Sequence, residues 1–541
     1  MALLEIKNLS FSYQNNPVLK ELNLSLKEGE FVVLTGATGS GKSTLLKLIK
    51  KELTPRGKLI GSIYFDGKDY KDFPFESSAS SIGYVMQNPE NQIITDKVYH
   101  ELAFGLENLG LEREEIRRRV SETAAFFGID SWFRQDTFSL SGGEKQLLVL
   151  TSILSMRPRL LLLDEPTSEL DPVAAEQFLS LLKKINQELG ISILIVEHRL
   201  DAVLAFADRF LIINEGKILF DGNPREISMQ IDSSLPIGIP SAIKIYKGLG
   251  GKGPCPLTVK EGAEFLSRYQ KQKEFSKKII SKPGKKIYEL KDIWFSYGKN
   301  NQEILRGLDL DIFESEIMTL VGGNGSGKST LLKIIAGLYK VPVGKILFNK
   351  KNIKTYKDKE LYHYNLAYLP QNPQDLFMEL TVKEEIGRTD ENFKLIEEFE
   401  LTALLDKHPY DLSGGEQQRL AFVKLLSLKP KTLLLDEPTK GLDKRWKEIV
   451  EKLLIKMKNK GITIIIVTHD LEFAARISDR CGMLFDGEVI SLSDPISFFS
   501  GNTFYTTPAN RISRKLYPEA LTEEEVIRLA KLHGEKDENN H

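Results

Sequence analysis

The sequence predicts an α/β fold built twice, as two tandem domains that each wrap a mostly parallel sheet around a phosphate-binding loop. Three observations carry that prediction. GATGSGKST at 36–44 returns as GGNGSGKST at 322–330. Apolar runs ending LLLDEP and IVEH in the first half return as LLLDEP and IVTH in the second. The register between copies drifts little: FSY at 11–13 and 295–297 are 284 residues apart, Lys42 and Lys328 286, Asp164 and Asp436 272.

Each half opens on a strand that leads into its loop. Gly36, Ala37, Thr38, Gly39, Ser40, Gly41, Lys42, Ser43 and Thr44 fill the pattern G-x-x-x-x-G-K-[ST] first. Gly322, Gly323, Asn324, Gly325, Ser326, Gly327, Lys328, Ser329 and Thr330 fill it again. The glycines let backbone N–H groups turn inward around phosphate oxygens, the lysine charge meets the terminal phosphates of ATP, and the serine hydroxyl suits Mg²⁺. A helix starting at each lysine adds its positive end to the same anion site.

The halves then diverge. Gln87 and Ser141 are 54 residues apart, but Gln371 and Ser413 only 42. The longer copy holds ENLGLEREEIRRRVSETAAFFGI, a charged helical stretch that reads as a subdomain with its own role. Register resumes at the apolar runs, which are flanked by helices and read as parallel strands covered on both faces. Ligands bind at the carboxyl ends of such strands. Asp164 and Glu165, His198, Asp436 and Glu437, and His469 stand there. The aspartates suit Mg²⁺, and the glutamates suit the polarising of an attacking water. Two histidines in register read as a matched functional pair rather than as structural residues.

The domain reading is 1–228, a connector 229–285, a second domain 286–500 and a tail 501–541. The connector begins rich in Pro and Gly and continues with VKEGAEFLSRYQKQKEF, a short helix. Residues 241–286 hold 12 Lys/Arg against 3 Glu, which leaves two readings open: a solvated linker, or contact with anionic lipid headgroups. In the tail, TEEEVIRLAKL predicts a capped amphipathic helix and HGEKDENNH a frayed end.

Bulk properties narrow the function classes. A net charge of −1 over 541 residues gives no push toward nucleic acid, and none is expected as a partner. Cys255 and Cys481 are the only cysteines, which excludes a disulfide framework or a Cys-ligated cluster and fits a reducing compartment. No apolar run approaches the ~18 residues of a membrane span, and the N-terminus lacks a targeting layout, so work at a membrane would need a docking partner.

LSGGE at 140–144 and 412–416, together with the loops and LLLDEPT at 161–167 and 433–439, resembles the ATP-binding-cassette (ABC) ATPases. The resemblance covers 1–228 and 286–500. It implies tandem P-loop NTPase domains, each with an antiparallel β subdomain and a helical signature subdomain beside the core sheet. It also implies ATP and Mg²⁺ as ligands, with Ser43, Gln87 and Asp164, and Ser329, Gln371 and Asp436, around the metal. Tyr13 and Tyr297 match the aromatic residue that stacks on adenine. Asp171 and Asp443 match the D-loop aspartate. Lys42, Glu165 and His198, with Lys328, Glu437 and His469, match the catalytic set. Ser141, Gly142 and Gly143, and Ser413, Gly414 and Gly415, match the signature helix that closes on ATP held by the opposite domain, so the halves are expected to pair within one chain.

A narrower resemblance lies in MQNPENQIITDKVYHELAFGLENLG at 86–110, EHRLD at 197–201 and FYTTPANRISR at 504–514, which are similar to fused energy-coupling factor (ECF) importer ATPases. That implies a vitamin or metal-ion importer at the cytoplasmic face of the membrane. Its partners would be a transmembrane coupling protein and a substrate-binding membrane subunit. Asn91, Gln92, Ile93 and Ile94 are expected to border the groove for the coupling helix. Two other readings stay open: a soluble tandem ABC protein acting on ribosomes, and a fused sugar-importer ATPase. Neutral charge and the Pro/Gly connector weigh against the first, and two intact motif sets against the second.

Overall fold

The computed structural model describes residues 2–14, 16–232, 235, 237–271, 284–298, 303–362, 365–387 and 390–535. The chain divides into two compact units, Met1–Glu261 and Gly262–His541.

The first unit contains β1 (Ala2–Tyr13), β2 (Asn16–Lys27), β3 (Phe31–Gly36), β4 (Lys58–Phe65), β5 (Lys68–Asp69), β6 (Ile82–Val85), β7 (Leu160–Asp164), β8 (Ser192–Val196), β9 (Arg209–Asn214) and β10 (Lys217–Gly222). They form a six-stranded sheet, β10-β9-β3-β8-β7-β6, and a four-stranded sheet, β2-β1-β4-β5. The smaller sheet is antiparallel throughout, and in the larger one only β10 runs against its neighbour. Every residue of β3, β7 and β8 is buried, which explains why these strands read as unbroken apolar runs rather than alternation. The helix Lys42–Ile49 sits in the same core, with Leu45, Leu46, Leu48 and Ile49 packed among Leu4, Ile6 and Phe65.

The second unit repeats the plan. It contains β11 (Lys286–Phe295), β12 (Leu305–Phe313), β13 (Ile317–Val321), β14 (Val343–Phe348), β15 (Lys351–Asn352), β16 (Leu366–Leu369), β17 (Thr432–Asp436), β18 (Thr463–Val467), β19 (Arg480–Phe485) and β20 (Glu488–Ser493). The sheets are β16-β17-β18-β13-β19-β20 and β12-β11-β14-β15.

The length difference falls where the spacing places it. In the first unit, helices Val98–Asn108, Arg113–Phe126 and Gly142–Ser155 surround their own cluster of Leu102, Leu106, Trp132 and Leu148. In the second, the first two shrink from 11 and 14 residues to 5 and 9, as Val382–Ile386 and Asp390–Glu398. The third, Gly414–Ser427, keeps all 14.

Much of the segment read as a connector is folded. Ser241–Gly248 forms a helix in which Ile243, Ile245 and Tyr246 are buried. Ser241 N donates to Asp201 Oδ1 (3.0 Å), and Arg225 pairs with Glu261 (2.8 Å), both inside the first unit. The unit boundary falls within the helix Val259–Leu266. Thr258 accepts from Glu261 N, while Glu261 Oε2 accepts from Leu257 N (2.8 Å). Thr522 and Glu525 repeat this arrangement, with Leu521 N on Glu525 Oε2 (2.8 Å), at the start of the tail helix Glu523–His533. Leu-Thr-x-x-Glu therefore opens the same kind of capped helix after each core sheet. Of the 12 basic residues on which the linker and lipid readings rest, Lys273, Lys277, Lys278 and Lys282 lie outside the described residues, as does the tail beyond Glu535.

Candidate functional site

Each loop is entered through a glycine with no room for a side chain. A Cβ on Gly36 would stand 2.0 Å from Ile213 O, and one on Gly322 2.4 Å from Leu484 O. Gly41 and Gly327, at φ 100° and 98°, turn the loops into the helices Lys42–Ile49 and Lys328–Ile335. Lys42 Nζ folds over its loop and donates to Gly36 O and Ala37 O, both at 2.9 Å. Lys328 Nζ does the same to Gly322 O (3.0 Å) and Gly323 O (2.9 Å). Thr38, Gly39, Asn324 and Gly325 form exposed loop tips. Ser40 Oγ and Ser326 Oγ are buried without a hydrogen-bond partner among the described residues. An orphaned hydroxyl inside a turn of backbone amides at a helix N-terminus fits a phosphate oxygen.

Of the predicted metal-binding side chains, each serine meets its aspartate, whereas neither glutamine bonds to that pair among the described residues. Ser43 Oγ donates to Asp164 Oδ1 at 2.9 Å, and Ser329 Oγ to Asp436 Oδ1 at 3.1 Å. A hydroxyl and a carboxylate side by side are hard oxygen donors that fit a hydrated Mg²⁺. Burial pushes both aspartates upward, Asp436 to about 6, even though each serine hydrogen bond works the other way. Each aspartate has one further partner that sequence reasoning missed. Tyr84 OH donates to Asp164 Oδ2 (3.2 Å) and Tyr368 OH to Asp436 Oδ2 (3.4 Å). The signal was available: the tyrosines are 284 residues apart, the register of the glutamines just beyond them.

Glu165 and Glu437 follow those aspartates in the left-handed region, at φ 48° and 51°. Such backbone is costly for a non-glycine residue and re-aims the side chain beyond the strand end. His198 Nε2 lies 3.0 Å from Glu165 Oε1, and His469 Nδ1 lies 2.9 Å from Glu437 Oε1. Burial pushes both glutamates up, but the histidines and the loop lysines outweigh it and hold them below the ordinary carboxylate range. A carboxylate kept ionised beside an imidazole, a lysine and a Ser–Asp pair can polarise a water next to a phosphate. Gln87 Nε2 reaches Glu165 Oε2 at 3.4 Å. Gln371 is exposed.

Tyr13 and Tyr297 stand at the loop's far side, with their hydroxyls 3.4 Å from Thr44 Oγ1 and 2.8 Å from Thr330 Oγ1. Both rings are substantially exposed, as a stacking face for a purine must be. Ser141 and Ser413 cap the helices Gly142–Ser155 and Gly414–Ser427 through capping boxes with Glu144 and Glu416. Their side-chain bonds stay within those helices, while Ser141, Gly142, Ser413 and Gly414 are exposed and Gly143 and Gly415 partly so. The helix N-termini therefore face outward with unspent N–H groups.

The expected docking segment is partly corrected. Gln92 is spent inside its own unit, accepting from Met86 N (2.9 Å) and donating to Tyr84 O (2.7 Å). Ile93 packs inward against the helical cluster. Asn91 and Ile94 do reach the surface, and Ile94 is 69% exposed. Buried Glu101 holds this turn by accepting from Ile94 N (3.0 Å) and Thr95 N (2.8 Å). Glu385 holds the counterpart turn through Met378 N and Glu379 N, and it also pairs with Lys424. Among the described residues no helix is long and apolar enough to cross a membrane.

Known proteins align with this arrangement. The family model described as "ABC transporter" matches residues 19–168 and 305–440. A Bacillus anthracis protein named "Putative ABC transporter ATP-binding protein" is 46% identical over 538 residues, 96% of this chain and 97% of the relative. A protein of the same name from Methanosarcina mazei is 36% identical over 526 residues, 90% and 88% of the two chains. Among solved structures, CbiO1 of Clostridium perfringens, described as part of the ABC transporter complex CbiONQ, is 33% identical. It covers 42% of this chain and 91% of its own, with a TM-score of 0.39. With the motifs, the family model and the full-length relatives in agreement, the chain belongs to the ABC transporter ATP-binding proteins and carries two cassettes in tandem.

Proposed function

We propose that this chain is the ATP-hydrolysing subunit of an ECF-type importer for a vitamin or a metal ion. It would work at the cytoplasmic face of the membrane, docked to a transmembrane coupling protein and a substrate-binding membrane subunit. The observation that carries the hydrolytic part is that both units assemble the same complete set: loop lysine, Ser–Asp pair, glutamate and histidine. Neither site is degraded.

In this reading Tyr13 and Tyr297 hold the base, and the loop amides with Ser40 and Ser326 hold the phosphates. Ser43 with Asp164, and Ser329 with Asp436, hold Mg²⁺, which when bound supplies Lewis acidity to the terminal phosphates. Glu165 and Glu437 orient and polarise the water, with His198 and His469 fixing their oxygens. The exposed signature helices at Ser141 and Ser413 supply positive helix ends to the phosphate carried by the other unit.

The ECF reading is supported by the 86–110 resemblance and by the way Glu101 presents Ile94 as an apolar knob on a rigid turn. The test is Asn91→Ala with Ile94→Asp in the full chain, assayed by pull-down with the co-expressed membrane subunits and by ATP turnover of the isolated chain. Assembly and uptake are expected to fall while turnover of the isolated chain persists. Unchanged assembly would remove this turn from the docking surface.

A further inference from the structure

The two sites differ immediately around their histidines. The first unit reads Glu197-His198-Arg199, and the second Thr468-His469-Asp470. The acid has changed sides, and the hydrogen bonds have moved with it. In the second unit Asp470 Oδ2 accepts from Thr439 Oγ1 (3.3 Å) and pairs with Lys447 (2.6 Å). In the first, Thr167, the equivalent of Thr439, donates its hydroxyl (2.7 Å) and its backbone N–H (3.2 Å) to Glu197 Oε1. Arg199, standing where the second unit has Asp470, donates instead to Leu170 O (3.3 Å).

This exchange changes what holds the glutamate that follows the strand-end aspartate. Glu437 Oε2 receives the Thr468 hydroxyl (2.9 Å) and His469 N (3.3 Å), while Oε1 meets the His469 ring. Glu165 has neither of those Oε2 donors. A threonine hydroxyl is absent because residue 197 is the glutamate itself, and His198 N is drawn to Glu197 Oε2 (3.2 Å). Glu165 keeps the His198 ring on Oε1, and among the described residues its Oε2 is met only by Gln87, at 3.4 Å. Gln371 makes no such bond to Glu437 among the described residues. The Glu197 side chain is fully enclosed, and burial pushes its carboxyl above the ordinary range despite the Thr167 hydrogen bond.

We propose that Glu197 is a positioning residue that makes the two ATP sites inequivalent. By standing where the second unit has the Thr468 hydroxyl and by drawing off His198 N, it leaves Glu165 dependent on Gln87. Gln87 lies five residues before Gln92, the residue that ties the docking turn to Tyr84 O and Met86 N. The first site is thereby the one whose base responds to events at that turn, whereas the second carries its own internal clamp. This rests on the reading of Glu165 and Glu437 as the water-polarising groups.

The experiment is a double-mutant cycle on steady-state ATP turnover of the full chain. The arms are Gln87→Ala, the graft Glu197→Thr with Arg199→Asp, and the two together. On the native background Gln87→Ala is expected to cost about fivefold more than Gln371→Ala, the worth of one ordinary hydrogen bond. On the graft the two glutamine substitutions are expected to cost the same. Tyr13→Ala serves as the control, since its penalty should be the same factor with or without the graft. Glu197→Gln, which keeps the shape and the acceptor for Thr167 but turns an amide toward His198 N, covers the case in which the graft fails to fold. It should remove part of the Gln87 penalty. Equal penalties for Gln87→Ala and Gln371→Ala on the native background, or an unchanged Gln87 penalty on both Glu197 variants, would overturn the proposal. Full turnover in a Glu165→Gln, Glu437→Gln chain would instead overturn the hydrolytic reading beneath it.

Discussion

Replacing both strand-end tyrosines, Tyr84→Phe with Tyr368→Phe, tests whether the buried aspartates are the cation site. Each phenol donates to the aspartate oxygen that the serine leaves free, at 3.2 and 3.4 Å. Phe keeps the ring and removes only the donor. A hydrogen bond to a charged group is worth about 1.5 kcal/mol at the low end suited to these long contacts, which is about one pKa unit. Burial already sets Asp436 at about 6, above its unfolded value. Proton and cation therefore compete for its oxygens, and the cation gains as pH rises. With the donor removed the midpoint moves to about 7. At pH 6 the ionised fraction falls from about a half to about a tenth, and at pH 8 it is nearly unchanged. The assay is a Mg²⁺ titration of ATP hydrolysis at pH 6, 7 and 8. At the second site the Mg²⁺ needed for half-maximal turnover should rise about fivefold at pH 6, about twofold at pH 7 and scarcely at pH 8, and at the first site it should move in the same direction. A uniform shift across pH, or none at pH 6, would refute the link between phenol, aspartate and cation.

Glu165→Gln with Glu437→Gln should retain ATP binding while phosphate release drops by about 10²-fold or more. Sized with ATP, the same variant should close as a single chain, and an obligate two-chain species would contradict pairing of the halves within one polypeptide. Glu385→Ala should cost about 3 kcal/mol, because it strands Lys424 and two backbone N–H groups, against about 1–2 kcal/mol for Glu101→Ala, which strands two N–H groups alone. Hydrogen exchange at the Met378 and Glu379 amides, compared with Ile94 and Thr95, reads the difference. Ile93→Asp should lower thermal stability whether or not a membrane partner is present, whereas Ile94→Asp should not, because only Ile93 packs inward.

The parts legible in the sequence were those whose chemistry is local. A glycine loop, a lysine and a serine within nine residues announce a phosphate site wherever they fold, and buried parallel strands announce themselves as unbroken apolar runs. Asp164, Glu165 and His198 were legible because each stands at the end of such a run. Partners that arrive from another strand were not. Tyr84 shares the register of its repeat but carries no local chemical signal, and its donation to Asp164 depends on β6 lying beside β7. Glu197 was printed next to its histidine, yet its meaning lies in Thr167, thirty residues earlier and brought near by the β7–β8 pairing. Gln92 and Ile93 looked like surface residues because a turn's sequence does not say which side chains fold under it.

The twice-used Leu-Thr-x-x-Glu cap has a practical consequence for anyone dividing this chain. The chemistry ends near residue 228, but the repeating unit does not. A fragment stopped there would lose the helix Ser241–Gly248 and the Arg225–Glu261 tie, baring whatever Ile243, Ile245 and Tyr246 now cover. The matching cut in the second copy would fall before Thr506, Thr507, Asn510 and Ser513, a polar cluster as deeply enclosed as any leucine in the sheets. What was copied was a cassette with its own cap attached, and each half would be expected to survive isolation only if that attachment goes with it.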